Sequence, residues 1–201
     1  MALNLELKNI FNFISTIIPF LIIFTITMIS IFNQDLKGLI YLTGVFILCF
    51  FCVIVLNLVK NPVQEGRSVS CDLFNYPYNI NMYDSPSFNS ALIAFTFIYF
   101  LLPMAYNNRI NLPLIIFFLS LFVIDGSSKI ANKCTSYGGI VLGGSLGIFI
   151  GLIFYNLIHV SGYDSLLFFD EFISNKVQCS RPTKQNFKCS VYKNGEIIRD
   201  L

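Results

Sequence analysis

The chain has 201 residues, of which 55% are hydrophobic and 12% are charged, and its formal net charge is +2. A soluble domain of this length cannot bury so much apolar surface, so the composition indicates a membrane protein. The small net charge and the lack of a long basic run argue against nucleic acid as a partner.

Five long apolar segments of the chain are predicted to be membrane spans. About 20 apolar residues cross a hydrocarbon core ~30 Å thick, because a helix rises ~1.5 Å per residue. The first apolar run lacks a small-x-small cleavage site and is too long for a signal-peptide core, so we expect it to be retained. The fourth span is short and needs a thinner bilayer or flanking side chains that reach outward. The predicted spans are residues 10–32, 38–59, 87–106, 109–125 and 138–159.

The sequence changes character after the fifth span, which separates a membrane bundle, residues 1–160, from a tail, residues 161–201. The tail begins with a partly amphipathic segment and ends in FKCSVYKNGEII, where Asn194-Gly195 lies between short apolar strands. This pattern is typical of a β-hairpin. The predicted fold is therefore an all-α polytopic membrane bundle with a small C-terminal β-hairpin.

Five spans place the predicted loops 60–85 and 125–133 on one face of the membrane, together with the N-terminus. We call this the loop face. The tail lies on the opposite face, which carries more lysine and arginine, so the positive-inside rule favours a cytosolic tail and lumenal loops. The sequence leaves two choices of membrane open: one like that of the endoplasmic reticulum, or the membrane of a virus or organelle.

Three short motifs converge on the loop face. They are KNPVQEGR at residues 60–67, PSFNS at residues 86–90 and SKIANKCTSYGGIVLGGSLG at residues 128–147. In this order and at these boundaries they resemble the motifs of type 2 phosphatidic acid phosphatases: KxxxxxxRP, PSGH and SRxxxxxHxxxD followed by a glycine-spaced helix. The resemblance covers residues 60–154, about half of the chain. It implies a bundle with one more N-terminal helix than this chain has.

In that family, cations and a serine hold the phosphate, while two histidines and an aspartate carry out its transfer. Lys129 replaces an arginine and lacks its bidentate fork, and Ser68 replaces the proline that follows the first motif. The resemblance assigns phosphate binding to Lys60, Arg67, Ser87 and Lys129.

The catalytic positions of the family are all changed. Asn89 occupies the position of the family's acid histidine, Thr135 that of its nucleophilic histidine and Gly139 that of its orienting aspartate. His159 is the one histidine of the chain, and we expect it at the far end of the fifth span, ~30 Å from the loop face. Asparagine does not titrate, and threonine has no imidazole to take its proton. We therefore expect no catalytic residue, no metal site and no cofactor.

Two functions remain open. The first is a pseudophosphatase without catalysis, which binds a phosphorylated membrane lipid or is a structural element, and whose tail docks a protein partner. The second is an active lipid phosphate phosphatase with altered catalytic residues, acting on phosphatidic acid or a prenyl diphosphate. Asp84 and Asp125 lie on the loop face, but a carboxylate beside a phosphate would repel it, so they do not restore the reaction. The first function, without catalysis, agrees better with the loss of the family's catalytic residues.

Glycines and cysteines give further expectations. The glycines recur every fourth residue from Gly139 to Gly151 on one face of the fifth span, where another helix can approach closely, and we expect them to serve folding rather than dimerisation. Cys71 and Cys134 share the loop face, where a lumenal environment would permit a disulfide, with unpaired thiols as the simpler expectation. Cys49 and Cys52 are expected to pack inside the second span.

Overall fold

The computed structural model describes residues 7–68, 71, 83–168, 190–193 and 196–200, with backbone only for residues 7–12 and for those after 168. A short 3-10 helix lies at Asp164–Leu166, and two strands, β1 (Ser190–Lys193) and β2 (Glu196–Asp200), pair antiparallel. The α-helices are α1 (Leu7–Asn33), α2 (Lys37–Val59), α3 (Phe88–Tyr106), α4 (Leu112–Ala131) and α5 (Tyr137–Val160).

These five helices are each long and apolar enough to cross a membrane. Many of their outward side chains are apolar: Phe46 is 72% exposed and Val141 is 69% exposed, as suits a surface that meets lipid. The prediction of a polytopic membrane bundle is therefore confirmed. The helices begin and end within three residues of the predicted spans, apart from the end of α4.

The predicted end of the fourth span was wrong. The helix begins after Asn111, whose side chain accepts a hydrogen bond from the Leu114 N–H at 3.2 Å. It then continues through Asp125 and Lys129 to Ala131, where a loop was predicted. A carboxylate inside a membrane helix is costly, and the prediction stopped there for that reason. Here the lysine one turn later pairs with the carboxylate, so the helix can continue.

α3 lies at the centre of the bundle and contacts all four other α-helices. Aromatic rings fill the core around it: the Phe95 ring lies 6.2 Å from that of Tyr99 and 6.0 Å from that of Phe154, centroid to centroid. The Tyr41 hydroxyl of α2 hydrogen-bonds the Thr96 hydroxyl at 2.8 Å. The core thus joins α2, α3 and α5 around one set of rings.

The glycine-spaced face of α5 packs against α3 of the same chain. A Cβ atom at Gly143 would collide with the carbonyl of Ser87, and one at Gly147 would collide with the carbonyl of Ala91. At Gly151 a Cβ would lie 3.2 Å from Ile98, tighter than ordinary van der Waals contact. Glycine thus permits a close approach of the two helices that any larger residue would prevent.

The start of the tail returns to the tail-face end of the bundle. Leu167 and Phe168 are buried, and the Phe168 ring lies 6.2 Å from that of Phe100. The turn residues of the predicted hairpin, Asn194 and Gly195, lie outside the described residues, as do residues 169–189. The hairpin as a folded appendage therefore stays a prediction.

Candidate functional site

The segments that carry the three motifs contact one another at the loop face. The Asp84 N–H donates to the Asn61 carbonyl at 3.0 Å, and Pro62 forms an antiparallel bridge with Tyr83. The Ser68 N–H donates to the carbonyl of Asn132 at 3.1 Å. The loop after α2 therefore lies against both the segment before α3 and the turn between α4 and α5.

A disulfide joins Cys71 to Cys134, with 5.4 Å between their Cα atoms. The sequence alone favoured unpaired thiols, so this is a difference from the simpler expectation. The contact of Ser68 with Asn132 explains it, because the two segments already meet a few residues from each cysteine. In the second span, Cys49 and Cys52 are unpaired, and Cys52 packs in the core.

A cluster of polar side chains from α1, α3 and α4 lies inside the bundle near the loop face, and we call it the polar centre. Asp125 is its middle and is fully buried. The Ser15 hydroxyl donates to Asp125 Oδ1 at 2.8 Å, and the Asn89 amide donates to the same atom at 3.2 Å. The members of the polar centre are Ser15, Ser87, Asn89, Ser90, Asp125 and Lys129.

Lys129 supplies the positive charge of the polar centre. Its Nζ lies 3.5 Å from Asp125 Oδ1 and donates to the Ser87 hydroxyl at 3.3 Å, while its side chain is 17% exposed. The Ser90 hydroxyl lies 3.0 Å from Ser87 Oγ and 3.4 Å from Asp125 Oδ2. Each oxygen of the carboxylate thus faces at least one donor of its own chain.

The structure brings together two of the four residues assigned to phosphate. Ser87 and Lys129 are hydrogen-bonded to each other. The anion that lies beside Lys129 is the carboxylate of Asp125, where the family comparison expects a phosphate. Lys60 is exposed at the end of α2, where its backbone is left-handed with φ of 45°. Arg67 is half-buried in the loop after α2, next to the contact that Ser68 makes with the α4–α5 turn.

The three changed catalytic positions have structural partners. Asn89 donates both to Asp125 and to the Ser15 carbonyl, the latter at 3.1 Å, and so ties α3 to α1 and α4. The Thr135 hydroxyl donates to the Asp84 carbonyl at 2.7 Å. At Gly139 a Cβ would collide with Thr135 Oγ1 and lie 2.8 Å from the Asp84 carbonyl oxygen, so the family's aspartate has no room there.

Asp84 stabilises the start of α5. Its Oδ1 accepts a hydrogen bond from the Ser136 N–H at 2.8 Å, which places a carboxylate at a helix N-terminus, where the helix dipole favours negative charge. The Ser136 side chain caps the same helix by accepting from the Gly139 N–H. The carboxylates of Asp84 and Asp125 are therefore both held by groups of the chain itself.

Sequence reasoning missed the roles of Ser15 and Asp125. The available signal was the pair Asp125 and Lys129, four residues apart in an otherwise apolar stretch, since such a pair shares one helix face. An ionisable residue inside a span normally has a partner within the bundle. No sequence signal links Ser15 to this pair, because the residues are 110 positions apart.

His159 lies in the last turn of α5, at the end of the bundle opposite the polar centre. Twenty residues separate it from Gly139 on the same helix, which corresponds to ~30 Å. Its Nδ1 lies 2.8 Å from Asp164 Oδ1, and its ring centroid lies 4.9 Å from that of Tyr106. The imidazole therefore belongs to a separate cluster at the tail face.

The fold and the polar centre define a polytopic helical membrane protein with a buried ion pair near one membrane face. No known protein family, no curated protein and no protein of solved structure matches the chain. The resemblance to phosphatidic acid phosphatases thus rests on the sequence motifs. In the part of the chain that the structure describes, no three histidine, cysteine, aspartate or glutamate side chains are grouped as a metal site would require.

Proposed function

We propose that this chain is a non-catalytic integral membrane protein, a pseudophosphatase whose polar centre holds the helices together instead of holding a phosphate. One observation carries the proposal: the fully buried Asp125 carboxylate lies 3.5 Å from Nζ of Lys129, which with Ser87 is one of the two phosphate-assigned residues that lie together. Of the two functions that the sequence leaves open, we therefore retain the pseudophosphatase, with a structural role for this site in place of phosphate binding.

Charge makes the polar centre a poor site for a second anion. A phosphate beside Ser87 would stand next to the Asp125 carboxylate, and like charges at such distances repel strongly in a buried site. Removing one partner of a buried ion pair costs about 3–5 kcal/mol, because the other charge is left uncompensated. A phosphate that drew Lys129 away from Asp125 would meet a penalty of this kind.

The hydrogen bonds also argue against the alternative of an active phosphatase with altered residues. The Thr135 hydroxyl already donates to the Asp84 carbonyl, and it would need a neighbouring base to become a nucleophile. Asn89 offers an amide that cannot exchange a proton with a leaving group near neutral pH. The imidazole of His159 is ~30 Å away along α5.

Location and partners belong to the same proposal. The disulfide between Cys71 and Cys134 supports a lumenal loop face, since disulfides persist in oxidising compartments, and a cytosolic tail then follows from five spans. Membrane lipid is the surrounding partner of the apolar outer surface. A protein partner for the tail rests on residues outside the described part of the chain and stays a prediction.

The proposal is tested by assaying phosphate release from phosphatidic acid with purified protein in detergent. We expect the wild-type chain and a Lys60→Ala variant to release phosphate at the same background rate, with an active phosphatidic acid phosphatase as the positive control. Turnover above background that is lost in Lys60→Ala would contradict the proposal and support the active enzyme.

A further inference from the structure

The turn that follows α4 is bonded to the last turn of that helix. The Cys134 N–H donates to the Lys129 carbonyl at 2.8 Å, and the backbone and side-chain amides of Asn132 both donate to the Ser128 carbonyl, at 3.1 and 2.7 Å. The last carbonyls of a helix have no partner within the helix, so such contacts decide whether its final turn stays ordered. The position of Cys134 therefore bears directly on Lys129, the residue that pairs with Asp125.

The loop after α2 lies across this turn, and we call its described residues, 60–68 and 71, the strap. The Ser68 N–H donates to the Asn132 carbonyl at 3.1 Å, and Lys133 Nζ donates to the Glu65 carbonyl at 3.3 Å. Glu65 and Lys133 are exposed and Ser68 is half-buried, so water competes for these hydrogen bonds. Each of them therefore contributes little net stability.

A covalent bond fastens the far end of the strap. The disulfide joins Cys71 of the strap to Cys134 of the turn, 63 positions apart in the sequence. The near end is held separately, because the Asn61 carbonyl accepts a hydrogen bond from the Asp84 N–H at 3.0 Å. Breaking the disulfide would therefore free the far end of the strap while its near end stays attached.

The disulfide lies at the surface of the loop face, since Cys71 and Cys134 are each half-buried. Exposed disulfides exchange with external thiols more readily than enclosed ones, and labile regulatory disulfides belong to the exposed class. A dithiol reduces such a bond in two steps. One of its thiolates attacks a sulfur, which breaks the S–S bond and forms a mixed disulfide, and its second thiol then displaces the other cysteine. Two electrons and two protons pass to the cysteines, and the dithiol becomes a disulfide.

We propose that the Cys71–Cys134 disulfide is a redox switch that sets the order of the last turn of α4, and through that turn the contact of Lys129 with Asp125. The oxidised form holds the strap across the turn. In the reduced form the far end of the strap leaves the turn, and the hydrogen bond from Cys134 to the Lys129 carbonyl opens more often. The effect on the ion pair rests on the proposed structural role of the polar centre, whereas the effect on the turn does not.

Amide hydrogen exchange in detergent micelles, with and without dithiothreitol, tests the switch on the full chain. Reduction should speed the exchange of amides 132–134 about tenfold and leave amides 152–158 of α5 unchanged, because only the loop-face end is released. Mass spectrometry of the intact protein follows the reduction. Three results would overturn the proposal: a disulfide that dithiothreitol leaves intact in the folded protein, unchanged exchange after reduction, or equal acceleration at both ends of the bundle.

Cysteine variants isolate this disulfide from the cysteines of the tail. Cys71→Ser should show the fast exchange of amides 132–134 without dithiothreitol and no further response to it. Cys49→Ser is the matched control, since this thiol is free and half-buried in α2, and it should behave as the wild type. A Cys71→Ser variant that still responds to dithiothreitol would overturn the proposal.

The reactivity of Lys129 toward a water-soluble acetylating ester tests the link to the ion pair. Its side chain is 17% exposed, and reduction should raise its acetylation about fivefold, whereas Lys60, which is already exposed, should not change. Faster amide exchange with unchanged acetylation of Lys129 would overturn this link. Failure of the switch would leave the phosphate-release assay at background, so it is distinguishable from failure of the proposed function.

Discussion

At the residue scale, Asp125 shows how a carboxylate can be accommodated inside a membrane helix. An isolated charge there is costly, and the cost falls when the group pairs with an opposite charge and its oxygens receive hydrogen bonds. Lys129 supplies the charge one turn away, and Ser15, Asn89 and Ser90 approach with donors from two other helices. The carboxylate therefore ties α1, α3 and α4 to one another at a single point.

This arrangement predicts a large cost for removing the lysine. Lys129→Met should lower the free energy of unfolding by about 3–5 kcal/mol, because it leaves Asp125 buried without a counter-ion. Lys133→Met is the matched control: this lysine is exposed, its Nζ donates to the Glu65 carbonyl, and its loss should change stability by no more than about 0.5 kcal/mol. Unfolding by denaturing detergent in micelles measures both, and equal losses would contradict a structural role for the ion pair.

The sequence predicted part of this site. It placed Ser87 and Lys129 at one location, and the two are in contact. It did not identify Asp125 as their anion, because the motif comparison assigned that role to a bound phosphate and treated residues 125–133 as a loop. It also could not identify Ser15, since nothing in one sequence shows which polar residue of a distant span faces the same point.

At the element scale, the packing of α5 on α3 depends on backbone contact. The spacing of the glycines predicted a flat face on the fifth span, and it is present. The partner helix could not be predicted, because all five spans are apolar and each could receive that face. The helix bounds were predictable since hydropathy marks them well, except at α4, where a paired charge continues the helix.

A matched pair of glycine substitutions tests the packing of α5 on α3. Gly147→Val should destabilise the protein by about 3 kcal/mol or more, because its Cβ would collide with the Ala91 carbonyl and backbone cannot move aside easily. Gly138→Val should have little effect, since that position is exposed and its Cβ would lie 3.7 Å from Ser136 Oγ. Thermal unfolding in detergent measures both. A tolerated Gly147→Val would show that α3 and α5 are not in close contact.

At the scale of the whole molecule, the bundle has two dissimilar ends. The loop-face end carries the disulfide and, near it, the polar centre, while the tail-face end carries the cluster of His159, Tyr106 and Tyr155 and the buried start of the tail. Helices of this length and hydropathy can cross a membrane, and a bundle that does so places these two ends on opposite sides of it. If the end that carries the disulfide faces an oxidising compartment, the loop face is lumenal and the tail is cytosolic.

The redox state of the loop face tests this orientation in cells. In a variant that retains only Cys71 and Cys134, with the other cysteines changed to serine, a maleimide polymer should add no mass to the denatured protein until a reductant is applied. It should then add two labels. Labelling without reductant would show that both thiols are free, and would remove the support for a lumenal loop face.

The most direct measurement of the polar centre is a double-mutant cycle between Asp125 and Lys129. Unfolding free energies of the wild type, Asp125→Asn, Lys129→Met and the double variant give the coupling of the two side chains. We expect each single change to be costly and the double variant to recover part of the loss, with a coupling of about 1–3 kcal/mol. Single changes that add to within about 0.5 kcal/mol in the double variant would contradict a structural ion pair at the heart of this protein.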